Sequence, residues 1–320
     1  MNILHINNPA NIAGRLAAEQ KKLGHQAAVL IDKQDYLGYK CDFEFGSSKS
    51  FFSKKLGLPM IRKWVREFDV VHIHGGMALT DSYVYVYRFF PRKKAVVAHF
   101  HGTDAREGGG LHHLFMCNAV LCSTPDLQKY VKATWIPNPH VSPPIKSVRH
   151  DDMRIRLGHF PTDRKKKGTD YIISSFRKLL SGSAIAESRM GGVTTLRGEG
   201  IELLVVEKCD HRKADDIMRT CDVVVDQVSD FGMYGLVSID AMSLGEVVLS
   251  SYDPNLYTQY GKVPIIRVTE RNFLEKLRKT IEQKDEWNRI GRKGIEYTKK
   301  VHDPERIAKE VVEIYAQCLE

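Results

Sequence analysis

Short apolar runs alternate with segments of helical spacing from one end of the chain to the other, the pattern of parallel α/β layers. In the first half the runs predict strands at Asn2–Ile6, Ala27–Ile31, Val70–His74, Ala95–His101, Ala119–Cys122 and Thr134–Ile136. Helices are expected near Ala10–Leu23, Phe52–Phe68, Leu79–Phe89 and Asp126–Lys132. The pattern stops where Pro137, Pro139, Pro143 and Pro144 crowd together. Proline fixes φ and lacks an amide hydrogen, so this cluster predicts a linker. The alternation then resumes, with strands at Met153–Leu157, Ile201–Val206, Asp222–Asp226, Glu246–Ser250 and Val263–Arg267. Helices are expected at Lys167–Leu180, Lys213–Arg219, Val237–Leu244 and Phe273–Gln283, then through Glu286–Glu320 with a break at His302-Asp303-Pro304. Ser181–Gly200 carries no readable period.

A chain of 320 residues has room for two domains. The proline cluster divides it into residues 1–140 and 150–302, with 141–149 as the linker and a ligand cleft expected between the domains. With 42% hydrophobic and 27% charged residues, the composition is that of a soluble globular protein. No apolar run reaches the ~18 residues of a membrane-spanning helix, and the N-terminal residues do not read as a secretory signal. Cys41, Cys117, Cys122, Cys209, Cys221 and Cys318 form no Cys-x-x-Cys pair. They read as reduced thiols of a cytoplasmic protein.

The net charge of +9 favours anionic partners: phosphates, anionic lipid or nucleic acid. Basic residues are dispersed over both halves and no nucleic-acid module is present, so nucleic acid is not an expected partner. Residues 51–66 mix bulky apolar side chains with Lys54, Lys55, Arg62, Lys63 and Arg66. This segment reads as an ordinary amphipathic helix or as a peripheral contact with the anionic inner face of a membrane.

Three places concentrate chemistry. Asp163-Arg164-Lys165-Lys166-Lys167-Gly168-Thr169 lies between a strand and a helix. Cations there, with the open amides of a helix start, suit a pyrophosphate, although a solvated basic loop has the same composition. A second helix start follows Gly232-Met233-Tyr234-Gly235-Leu236. Its glycines permit close backbone approach to a ligand, and Asp240, one turn on, can accept from ribose hydroxyls or serve only as an exposed acid. In the first half, His72 and His74 share one strand face and His99 and His101 another. Four imidazoles can meet there as zinc ligands, orient a substrate hydroxyl or simply fill a core. His101, in the turn His101-Gly102-Thr103-Asp104, is the one favoured for chemistry. No metal site is expected.

Over most of its length the chain resembles the GT4-like glycosyltransferases of the GT-B superfamily. The resemblance is carried by Asn11-Ile12-Ala13-Gly14 through Leu23-Gly24-His25, by His99-Phe100-His101-Gly102-Thr103-Asp104-Ala105-Arg106, and by Ser123-Thr124-Pro125-Asp126-Leu127 with Ile136-Pro137-Asn138-Pro139. In the second half it rests on Arg164 with Lys167-Gly168-Thr169, then Asp226-Gln227, Gly232, Tyr234-Gly235 and Asp240-Ala241-Met242-Ser243-Leu244-Gly245. The resemblance implies two Rossmann-like domains facing each other across a cleft, with 303–320 packing back on the first. It implies a nucleotide-sugar donor, a glycan or lipid-linked acceptor, retention of configuration, and no cofactor or metal. His101, Arg164 and Lys167 would be catalytic. Gly168, Gly232, Tyr234, Gly235, Leu236 and Asp240 would hold the donor; Gly14, Asp104 and Asn138 would lie on the acceptor and sugar side. The chain departs from the family's E-x7-E pair, whose positions are Gly232 and Asp240. The donor sugar therefore stays open, as do a nucleotide-sugar epimerase and a non-catalytic binding protein of this fold.

Overall fold

The computed structural model describes residues 1–31, 35–44, 66–75, 94–141, 154–181, 184–198, 200–230 and 232–320. The expected helix Leu79–Phe89, and all but the end of Phe52–Phe68 with its basic segment, lie outside these residues. The chain divides into two compact units, Met1–Val141 with Asp303–Glu320, and Ser142–His302.

The first unit is built on a parallel sheet. Its strands are β1 (Asn2–Ile6), β2 (Gln26–Ile31), β3 (Phe43–Glu44), β4 (Val70–His74), β5 (Ala95–Phe100), β6 (Ala119–Cys122) and β7 (Thr134–Trp135). They lie in the order β3-β2-β1-β4-β5-β6-β7. Every residue of β4 and β5 is buried, as expected of central strands in a sheet covered on both faces. Leu4, Ile6, Val71, Ile73, Ala98 and Phe100 form the heart of that core. Helix α1 (Ile12–Lys22) buries Ile12, Ala13, Leu16, Ala17 and Gln20, and carries Lys21 and Lys22 in its last turn, where cations favour the helix dipole. A one-turn helix, α2 (Thr103–Arg106), follows β5.

The second unit has a mixed sheet of β8 (Ile155–His159), β9 (Ala186–Met190), β10 (Val193–Gly198), β11 (Ile201–Val206), β12 (Val223–Gln227), β13 (Val247–Ser250) and β14 (Ile266–Arg267). The order is β14-β13-β12-β8-β11-β10-β9, with β9, β10 and β11 antiparallel and the other neighbours parallel. Its helices are α3 (Arg164–Lys167), α4 (Thr169–Leu179), α5 (His211–Met218), α6 (Leu236–Leu244), α7 (Phe273–Glu282) and α8 (Trp287–Val301). The chain ends in α9 (Pro304–Leu319), which belongs to the first unit. Asp303 caps α9 by accepting from the Arg306 amide, and Pro304 opens it, where the missing amide hydrogen costs nothing.

The structure differs from the sequence reading at several edges. Asp126–Lys132 is a 3-10 turn over Pro125–Lys129 rather than a helix, because Pro125 and the short span give no room for a full turn beyond it. The strand expected at Val263–Arg267 shrinks to Ile266–Arg267, since Pro264 has no amide hydrogen to give a ladder. Ser181–Gly200, unassigned from sequence, holds the β9–β10 hairpin. No described helix is long and apolar enough to cross a membrane.

Candidate functional site

In the second unit, β8 and β12 deliver their C-terminal ends to the starts of α4 and α6. Buried His159 ends β8; its Nδ1 lies 2.8 Å from the Val225 carbonyl and its Nε2 2.9 Å from the Thr169 hydroxyl. Burial pushes this imidazole down to about 4, so at neutral pH it is uncharged and ties β8, β12 and α4 together. Gly168 joins α3 to α4 at φ +68°, and a Cβ there would sit 2.3 Å from the Val228 carbonyl oxygen. Only glycine permits that approach.

The approach sets Lys167 against β12. Its Nζ donates to Asp226 Oδ1 at 2.5 Å and to Gln227 Oε1 at 3.0 Å. The Asp226 carboxylate is buried and also accepts from the Gly235 amide and the Ser238 hydroxyl, both at 2.7 Å. Burial alone would push its carboxyl up; Lys167, Ser238 and Gly235 hold it below the ordinary carboxylate range instead. Asp226 thus anchors both the ammonium and the start of α6. A Cβ on Gly235 would stand 2.7 Å from Lys167 Nζ, so the ammonium lies directly over the helix start. The Gly235 amide, expected to face a phosphate, is given to Asp226. The helix-start donors beyond it are those of Leu236 and Val237.

Other expected donor residues are placed as follows. Arg164 donates to Asp170 at 2.5 Å and to Glu207 at 2.7 Å, with 42% of its side chain exposed. Gly232 has φ +75° and accepts from the Asp253 amide. Tyr234 is buried, its hydroxyl 3.1 Å from both the Tyr297 hydroxyl and His302 Nε2, and its ring stacks on Tyr257. It therefore anchors the loop before α6. Asp240 lies half-buried one turn past Leu236.

In the first unit His74, His101 and Asp104 gather at the ends of β4 and β5. The Asp104 carboxylate accepts from the amides of His101, Gly102 and Ala105, which shapes the turn that presents His101. Asn138 is buried. The Gly14 amide donates to Asn8 Oδ1, and a Cβ there would meet Asn11 Oδ1 at 2.2 Å. His72, His74, His99 and His101 do meet, with His5 added from β1. Burial pushes His5 down to about 4 and, against the pull of Asp104, His101 to about 4; His72, His74 and His99 fall well below the usual imidazole range. His5, His72 and His74, and separately His74, His99 and His101, each offer three ligand atoms within 4.8 Å of one another. These are the described residues whose spacing suits a metal ion.

Solved structures of low sequence identity match the whole chain. HepE of Anabaena, solved with UDP and glucose, is 14% identical over 99% of this chain and 100% of its own, with a TM-score of 0.68. The fold is GT-B. An α-glucosyltransferase solved with UDP-glucose and DNA containing an abasic site is 12% identical, covers 98% of both chains and has a TM-score of 0.68. A glycosyltransferase of Rickettsia africae is 11% identical over 100% of this chain and 98% of its own, with a TM-score of 0.65. No family model and no curated protein matches the sequence. One GT-B neighbour carries DNA, so dispersed basic charge without a nucleic-acid module does not exclude nucleic acid for this fold.

Sequence reasoning missed His5, Gln20, His159 and Ser238. A histidine between Leu4 and Ile6 in an apolar strand was the available signal for His5. Gln20 and Ser238 act through residues distant in sequence and left no local mark.

Proposed function

We propose that this GT-B chain is a GT4-like glycosyltransferase that transfers a sugar from a nucleoside-diphosphate donor to a glycan or lipid-linked acceptor, with retention and without a metal. One observation carries the reading: a buried carboxylate, Asp226, pins an ammonium, Lys167, over the start of α6. A fixed cation beside open helix-start amides suits a diphosphate in both charge and direction. Asp226 and Gln227 take two of the three ammonium hydrogens, leaving one for a phosphate oxygen.

As the glycosidic bond breaks, negative charge grows on the departing diphosphate. Lys167 and the amides of Leu236 and Val237 stabilise it with no reorganisation, because Asp226 already holds them in place. Arg164 completes the clamp by exchanging an exposed carboxylate for a phosphate. Asp240, on the same helix, accepts from the ribose hydroxyls. His101 contacts the sugar or takes part in proton transfer, with Gly14, Asp104 and Asn138 on that side. UDP-glucose is the first donor to test, since neighbours carry UDP or UDP-glucose.

The test is nucleotide release from UDP-, GDP-, ADP- and dTDP-sugars, with and without candidate acceptors. One donor is expected to turn over slowly alone and faster with acceptor, and Lys167→Ala to abolish both. Full turnover by the Arg164→Ala, Lys167→Ala double variant overturns the clamp; binding without any release favours the non-catalytic alternative.

A further inference from the structure

The histidines of the first unit form a directed hydrogen-bonded chain. His5 registers with His72 on neighbouring strands, and His74 with His99. Alternate positions put these rings on one sheet face, where α1 contributes Gln20 and α9 contributes Tyr315. His5 Nε2 lies 2.8 Å from Gln20 Oε1. His5 Nδ1 lies 2.9 Å from His74 Nε2, and His74 Nδ1 lies 3.0 Å from His101 Nε2. Among the described residues, His101 Nδ1 is sealed from solvent and has no partner.

Each link dictates the next. An amide oxygen only accepts, so His5 Nε2 carries the hydrogen. A neutral imidazole has one hydrogen, so His5 Nδ1 accepts and His74 Nε2 donates. By the same rule His74 Nδ1 accepts and His101 Nε2 donates. The Gln20 amide nitrogen faces the Tyr315 hydroxyl, 3.4 Å away, and donates to it, which leaves the amide oxygen for His5. That hydroxyl then gives its own hydrogen to His72 Nδ1, 2.5 Å away.

We infer that Gln20, acting through His5 and His74, fixes the tautomer of His101, with the hydrogen on Nε2 and the lone pair on Nδ1. Gln20, His5 and His74 are then positioning residues. His101 Nδ1 then keeps its lone pair and can act only as an acceptor, while Nε2 is committed as the donor to His74. Burial, which keeps these imidazoles uncharged, is what the scheme needs, because an imidazolium would point a hydrogen at a hydrogen. A metal ion in either histidine triad would compete with it, since both nitrogens of His74 are already engaged.

The tautomer is independent of the proposed activity, although its use in catalysis rests on that reading. The experiment is a long-range proton–nitrogen correlation spectrum of the full chain, labelled with ¹⁵N-histidine at neutral pH. His101 is assigned by its loss in His101→Gln. The expected result is an Nε2-protonated, Nδ1-unprotonated pattern for His101, His74 and His5. Gln20→Glu, which still only accepts, should keep the pattern. Gln20→Leu should lose the single-tautomer signature at His101 while circular dichroism stays that of the wild type. A wild-type His101 protonated on Nδ1 or on both nitrogens overturns the inference, as does stoichiometric zinc by elemental analysis of the purified chain. Should the tautomer be found while His101→Ala keeps full transfer, the catalytic role of His101 fails and the tautomer assignment stands; should no nucleotide sugar turn over at all, the proposed function fails and the tautomer assignment again stands.

Discussion

Removing the Lys167 ammonium would strand the Asp226 carboxylate in a place that water does not reach. Breaking a buried pair from one side typically costs about 3–5 kcal/mol, so Lys167→Met should lower the urea midpoint sharply. Adding Asp226→Asn to that variant should restore part of the loss, because the two sites share one interaction. Arg164 is the contrasting case. Its own side chain is 42% exposed, and although Glu207 is largely covered, Asp170 stands in solvent; pairs held by so exposed a cation contribute about 0–1 kcal/mol. Arg164→Ala should leave unfolding almost unchanged yet lower turnover about a hundredfold, the scale of one lost transition-state donor. Stability and activity measured together therefore separate a clamp residue from a scaffold residue. Asp226 belongs to the scaffold although it lies within the site.

At the scale of elements, the placement of α6 depends on what packs behind it. Gly245 ends α6 at φ +82°, and a Cβ on Gly291 of α8 would lie 2.0 Å from the Gly245 carbonyl oxygen. A Cβ on Gly294 would lie 3.1 Å from the Met242 carbonyl oxygen, a tight but less severe approach. Gly291→Ala must push the helices apart; overpacking of this kind costs about 1–3 kcal/mol, and a lower melting temperature with weaker donor binding is expected. Tyr234→Phe removes one hydroxyl from the Tyr297–His302 network and keeps the ring, for a loss of about 1 kcal/mol by denaturant titration. The strands framing both sites were legible in the sequence because β4, β5 and β12 each open on an apolar stretch of valine or alanine and are buried throughout. The β9–β10 hairpin was not, since all five residues of β9 are exposed and no alternation marks it. Gly191-Gly192 at its turn, with φ +55° and +82°, was the usable cue. The Lys167 and Gly235 motifs were found from spacing and resemblance, but their mutual contact through Asp226 is a product of β12 register that no local pattern displays.

Across the whole molecule, the buried histidines couple stability to pH. His5, His101 and His159 stay neutral down to about 4, and burial holds His72, His74 and His99 well below the usual imidazole range, whereas unfolded imidazoles titrate near 6.5. Between those values the unfolded chain binds the extra protons, so stability is lost as pH falls through this window. Each such group adds a slope of up to about 1.4 kcal/mol per pH unit. Melting temperatures should be level above about pH 7.5 and fall steeply below 6.5; a flat profile down to pH 5 would mean the imidazoles are hydrated. The direct measurement of the central claim is calorimetric titration of the full chain and of Arg164→Ala with UDP-, GDP-, ADP- and dTDP-glucose. The account predicts that one of these binds the wild type and that the variant binds it at least about tenfold more weakly, as expected for a lost charge-assisted hydrogen bond. If no nucleotide sugar binds, or Arg164→Ala binds it with unchanged affinity, the account is contradicted.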